Sequence, residues 1–234
     1  MSVGVEQGAD GHCWAFALDG AACAGTGESM EEAVEVFQRR YLDWLRFLQT
    51  VGEPVPPREA VLEIAVDEWM VSEAQVSTGE TSVLFKAEYR PLDDDELQRG
   101  VRLLGDLRGL VLARIRAIPR REVDAALDAP VEGGMTVRDV LEELARAQWW
   151  TLSRLGASPM AGTPEATLGR LDAAMALVVQ HLGHLDPGRR DLWLELDGEE
   201  WTPRKVLRRL LWLEWTLGRA ALRGLDAAAP NGAR

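Results

Sequence analysis

Glu143, Gln148 and Glu214 are the polar exceptions in the otherwise apolar seams of the C-terminal half of this chain. Gln148 falls on the apolar face of one amphipathic run. Glu214 is in step with Leu207, Leu210 and Leu217 on another, so both side chains are expected to face a packed interior. A buried carboxylate has its pKa raised unless it meets a donor. Together the three form a candidate polar pocket walled by Trp149, Trp150 and Trp212. The competing reading leaves them at the edge of a core, paired with Arg146, Arg154 or Arg208. His181 and His184 stand at i and i+3, a spacing that suits a shared metal ion. Their only nearby acidic neighbour is Asp186, and histidines at a helix C-terminus are also stabilised by the helix dipole. His12 opens a strand with no visible partner.

The elements that must position these groups are legible from periodicity. His12 to Asp19 alternates apolar faces as a strand does, Asp19-Gly20 supplies a turn, and Ala21 to Gly25 returns as a second short strand. Residues 1–11 are small and Gly-rich and read as a frayed end. Ser29 caps a helix, with Glu32 completing a capping box. Its stripe is Met30, Val34, Phe37, Tyr41, Trp44 and Leu48, and Gly52 with Pro54, Pro56 and Pro57 stops it. Val61 to Trp69 and Ser82 to Tyr89 read as two further strands. After Pro91 the pattern becomes helical. Asp93 to Asp95 open one helix, Thr136 caps a second, and Thr163-Pro164 and Thr202-Pro203 begin a third and fourth. The segment between the last two, RRDLWLELDGEEW, is longer than a tight hairpin and could wrap one end of the bundle. The expected fold class is therefore α+β: a small α+β module over residues 1–90, then an all-α four-helix bundle over residues 91–234.

Composition bounds the function classes. A hydrophobic content of 47% is ample for a packed core, and a net charge of −12 argues against a nucleic-acid partner. The basic run Arg204, Lys205, Arg208 and Arg209 reads as the solvated face of a helix. No apolar run reaches the roughly 20 residues that span a bilayer, and no charged, apolar leader opens the chain. The expectation is a cytoplasmic protein that avoids membranes. Cys13 and Cys23 read as reduced, half-buried thiols. Trp212 and Trp215, at i and i+3, form a ridge through which a homodimer could assemble.

Two stretches carry a family resemblance. TVRDVLEELARAQWWTLSRL (Thr136 to Leu155) and WTPRKVLRRLLWLEWTLGRAALRGL (Trp201 to Leu225) resemble the second and fourth helices of the DinB-like superfamily, bacterial four-helix-bundle proteins. The similarity covers about residues 93–226. Many members hold nickel or zinc through three histidines, and some are thiol-dependent transferases. The resemblance would place those ligands at Glu143, Leu213 and Leu217. Leucine has no lone pair to donate, and a single carboxylate does not hold zinc or nickel against water. No metal and no cofactor are expected at this site, which reads as a repacked apolar core. With Leu213 and Leu217 standing where the resemblance would place ligands, the expected role is that of a non-enzymatic binding or regulatory protein with a small-molecule or protein ligand, its candidate pocket being Glu143, Gln148, Trp149 and Glu214. The alternative is a metal-dependent hydrolase or thiol-dependent transferase using a divergent site. At the N-terminus, LDGAACAGTGESMEEAVEVF and the exit GEPVPP resemble HicB-like antitoxin domains, which imply a binding module.

Overall fold

The computed structural model describes residues 1–19, 22–56, 64–158 and 164–228. It has a small mixed sheet toward the N-terminus and a helical C-terminal part, an α+β fold. Two compact units emerge. The first comprises residues 1–92 and 187–208, and the second residues 93–186 and 209–234. The first unit thus takes in a stretch that the sequence pattern assigns to the bundle.

In the first unit, β1 (Ser2–Gln7), β2 (Cys13–Ala17), β3 (Ala24–Gly27) and β4 (Ala65–Val71) form a sheet in the order β3-β2-β1-β4. β4 runs parallel to β1, and the other pairs are antiparallel. The N-terminal residues are therefore not frayed: β1 is one of the two interior strands, with Val3 and Val5 fully buried. The turn residues Gly20 and Ala21, and residues 57–63 ahead of β4, lie outside the described residues.

Helix α1 (Met30–Thr50) begins where Ser29 accepts a hydrogen bond from the Glu32 amide. The Glu32 carboxylate reaches the amide of Glu28 rather than that of Ser29, so the box closes one residue early. α1 lies directly on β3. A Cβ added at Gly25 would sit 2.1 Å from the Ala33 carbonyl oxygen and 2.2 Å from the Phe37 amide nitrogen. This close approach explains why Ala33, rather than Met30 or Val34, is fully buried alongside Phe37, Tyr41, Trp44 and Leu48.

The alternating run Ser82 to Tyr89 does not form a strand; it ends in a 3-10 turn over Lys86–Tyr89. The reason is local. The Glu68 carboxylate accepts from the amides of Lys86 (2.6 Å) and Ala87 (3.1 Å), and Glu88 accepts from the Phe85 amide (3.0 Å). Side chains have taken the donors that a neighbouring strand would need. Completing this unit is a hairpin of β5 (Leu194–Leu196) and β6 (Glu199–Trp201). Its two-residue turn, Asp197-Gly198, has both residues at positive φ (57° and 78°), as the twist of a tight hairpin demands.

The second unit is helical: α2 (Asp94–Arg116), the short α3 (Val123–Leu127), α4 (Val137–Ser153) and α5 (Thr167–Leu177). The last helix, α6 (Pro203–Ala228), supplies its final turns from residue 209 onward. Asp93 and Thr136 each close a full capping box, with Glu96 and Asp139. α5 starts at Thr167, later than the Thr163-Pro164 signal, of which Thr163 lies outside the described residues. It runs into a π-helical turn at Val178–Leu182. One apolar core joins the helices, with Val111 and Ile115 from α2, Leu141 and Leu144 from α4, Leu171 from α5 and Ala221 and Leu225 from α6. Among the described residues no helix is long and apolar enough to cross a membrane.

Candidate functional site

Two of the sequence-singled polar groups meet in the helical unit, and a third residue that the pattern did not flag completes them. Gln148 and Glu214 are 0% and 1% exposed, and Arg108 beside them is 3% exposed. Arg108 donates from Nε to Glu214 Oε1 (2.8 Å) and from Nη2 to Oε2 (2.9 Å), a bidentate pair. It also donates to Gln148 Oε1 (2.9 Å) and to the Leu171 carbonyl (2.7 Å), while Gln148 Nε2 donates to Glu214 Oε2. Every group of the triad is answered by another. Glu214 is a buried carboxylate held by the Arg108 guanidinium and the Gln148 amide. Arg108 escaped the sequence reading because an arginine within an amphipathic helix is ordinarily part of the solvated face.

Glu143 is elsewhere. It is half-buried and pairs with Arg146 one turn along α4. Both side chains border a cleft of about 520 Å³ between α4 and α5, lined also by Met135, Ala145, Trp149 and Leu177. Trp149 is half-buried, and its indole N–H is shielded from water with no hydrogen-bond partner among the described residues. On the rim, Glu142 accepts from the Thr167 hydroxyl (2.7 Å) and from Arg170 (3.2 Å). The four pocket residues thus divide between a closed interior triad and an open cleft.

Leu213 and Leu217, partly buried, pack against the apolar core. The donor set at Glu143, Leu213 and Leu217 is therefore one carboxylate already held by a guanidinium and two hydrocarbon side chains. These residues do not fit a divalent transition metal. His184 donates from Nδ1 to the Val179 carbonyl (2.9 Å) across the π-helical turn, and the described residues contain no cluster of three or more His, Cys, Asp or Glu groups suited to a metal ion. His184 also borders a second, open groove together with Gly105 and Gly109.

Trp215 is only 7% exposed and its ring is covered by Arg219, at 4.7 Å from the ring centre, while Trp212 is half-buried. The basic run is not a solvated face. Lys205 is fully buried, donating to the carbonyls of Ser82 (2.9 Å) and Glu200 (2.7 Å), and Arg208 is buried in a pair with Glu88 at 2.6 Å. Cys13 and Cys23 are free and buried, and burial pushes both thiols up. They are poor nucleophiles for that reason. Glu6, in the sheet, is fully buried and accepts from Thr81, from Ser72 Oγ (2.7 Å) and from the Ser82 amide (3.0 Å). Comparison with protein-family models, with curated proteins and with solved structures returned no match to this chain.

Proposed function

We propose that this is a DinB-like protein whose helical unit has given up its metal centre and serves as a binding protein, with the α4–α5 cleft as the ligand site. The observation that carries the reading is Glu143, Leu213 and Leu217 together. Two of these family-matched residues belong to the core packing, and the third stands on the rim of a cleft. A volume of about 520 Å³ with apolar walls and a few polar groups suits a small organic ligand. The rim charges are paired, Glu142 with Arg170 and Glu143 with Arg146. That arrangement favours an apolar body carrying one strong acceptor, for which the Trp149 indole N–H is the waiting donor. The ring must tilt to donate, because the N–H is shielded when the cleft is empty. The HicB-like pattern of the first unit fits a companion role in partner binding.

Two measurements test this. Elemental analysis after titration with nickel and zinc is expected to find no stoichiometric metal. A stoichiometric ion lost on Glu143→Ala would overturn the reading in favour of the metal-dependent hydrolase or thiol-dependent transferase. Titration with 8-anilinonaphthalene-1-sulfonate, an apolar body bearing an acceptor, is expected to saturate at one site. Ala173 also lines the cleft, so Ala173→Trp, which fills it, should abolish that binding, and Trp149→Phe should weaken it several-fold. Undiminished binding to a folded Ala173→Trp protein would remove the cleft from consideration.

A further inference from the structure

The β5–β6 hairpin of the first unit carries a constellation that the bundle reading does not use. Trp193 and Tyr89 are among the most exposed large aromatic side chains of the protein, at 49% and 48%. Neither ring is loose. Trp193 donates its indole N–H to Glu200 Oε1 at 3.0 Å, and the Tyr89 hydroxyl donates to both oxygens of the same carboxylate at 3.1 Å. Two rings are thereby fixed by their polar tips with their faces still open to solvent. Burial of the phenol, and then the hydrogen bond to Glu200, push the Tyr89 pKa up, so the hydroxyl remains a donor through the neutral range.

The hairpin register adds a second, independent feature. Glu195 stands directly opposite Glu200. Leu196 and Glu199 flank the two-residue turn as a hydrogen-bonded pair, so the next pair is the non-hydrogen-bonded kind, in which facing side chains approach most closely. Like charges placed so are destabilising. Among the described residues neither glutamate makes an ion pair. The nearby Lys205 is held by Glu199 and two backbone carbonyls, and Arg204 donates to the carbonyls of Arg90 and Pro91. Two uncompensated carboxylates beside two open aromatic faces present negative charge and negative ring quadrupoles to one point. A positively charged, weakly hydrated group answers both at once.

We propose that Trp193, Tyr89, Glu195 and Glu200 form a binding site for an alkylammonium group, carried either by a small quaternary amine or by a methylated lysine side chain. The cation settles against the aromatic faces and relieves the repulsion between Glu195 and Glu200. Anions and neutral ligands gain nothing from either feature.

The test uses the whole 234-residue chain and follows the Trp193 indole N–H resonance by ¹H–¹⁵N NMR. The probes are choline, a short trimethyllysine peptide, sodium chloride at matched ionic strength, and 3,3-dimethylbutanol, which has the shape of choline without its charge. Choline is expected to produce a saturable shift that neither sodium chloride nor the neutral alcohol reproduces. A peptide affinity well above that of choline assigns the site to a protein side chain, and equal or weaker affinity assigns it to the free amine. Glu195→Gln, at an exposed position, should weaken binding roughly fivefold with the fold intact, and Tyr89→Ala should weaken it comparably when followed by the same resonance. Equal shifts from choline and the neutral alcohol, or no saturable shift, would overturn the proposal, as would undiminished affinity in both folded variants.

Discussion

The Arg108–Glu214–Gln148 triad shows how one residue changes the meaning of another. Without Arg108, a carboxylate 1% exposed in a helical core would be a candidate acid or base; with it, the charge is closed. A buried pair of this kind adds little net stability over hydrocarbon, but breaking it leaves a charge stranded. Glu214→Ala is therefore expected to lower unfolding stability by about 3–5 kcal/mol in urea titrations. The double replacement Arg108→Met with Glu214→Leu should recover most of that loss, and additive losses would show that the two do not act as a pair. Asp10 offers a pH signature in the first unit. The Ser77 hydroxyl and amide, with help from the His12 amide, draw its pKa down from 3.8 to about 2. A lowered folded-state pKa means the stabilisation is complete above 3.8 and disappears as pH falls through about 2. Asp10→Asn should accordingly be less stable than wild type at neutral pH, with the gap narrowing between those two values in acid titrations followed by circular dichroism.

At the scale of elements, glycines divide cleanly into those that permit packing and those that do not. Gly25→Ala would drive a methyl group into the backbone of α1, and a loss of about 3 kcal/mol is expected. Gly105, mid-helix in α2 with open space around its Cβ position, should behave oppositely, gaining about 0.5–1 kcal/mol on replacement by Ala. Chemical denaturation of the two variants checks both signs. Local signals were what the sequence displayed well. Ser29, Asp93 and Thr136 are caps whose partners lie three residues away, and each cap was readable. β1 was not, because its parallel partner β4 lies some sixty residues on and its own residues SVGVEQ mix Gly and Glu with only two valines. Ser82 to Tyr89 has a strand's alternation, yet Glu68, from a distant strand, takes its amides. The same logic applies to the site. Gln148 and Glu214 announced themselves as polar residues on apolar seams, while Arg108 and the Glu195–Glu200 opposition depend on contacts or register that no single helix or strand pattern reveals.

For the whole molecule, the units follow chain order only loosely, because residues 187–208 return to the first unit after the helical segment 93–186. That return supplies partners for groups laid down much earlier. Arg208 pairs with Glu88, Lys205 binds the Ser82 carbonyl, and the Leu92 amide donates to the Arg190 carbonyl (3.2 Å). A fragment ending at residue 92 is expected to show little cooperative unfolding by circular dichroism, since Glu88 would be left without its guanidinium. Restoring residues 187–208 through a flexible linker should recover a sharp transition, and a fully folded short fragment would contradict this. The same interleaving has a temporal side. Chains emerge from the ribosome at roughly 5–20 residues per second, and N-terminal domains commonly fold first. Here Glu88 and the Ser82 carbonyl must wait for residues 187–208 to be synthesised before Arg208 and Lys205 can reach them, so the first unit is completed only after the helical segment 93–186 has been made.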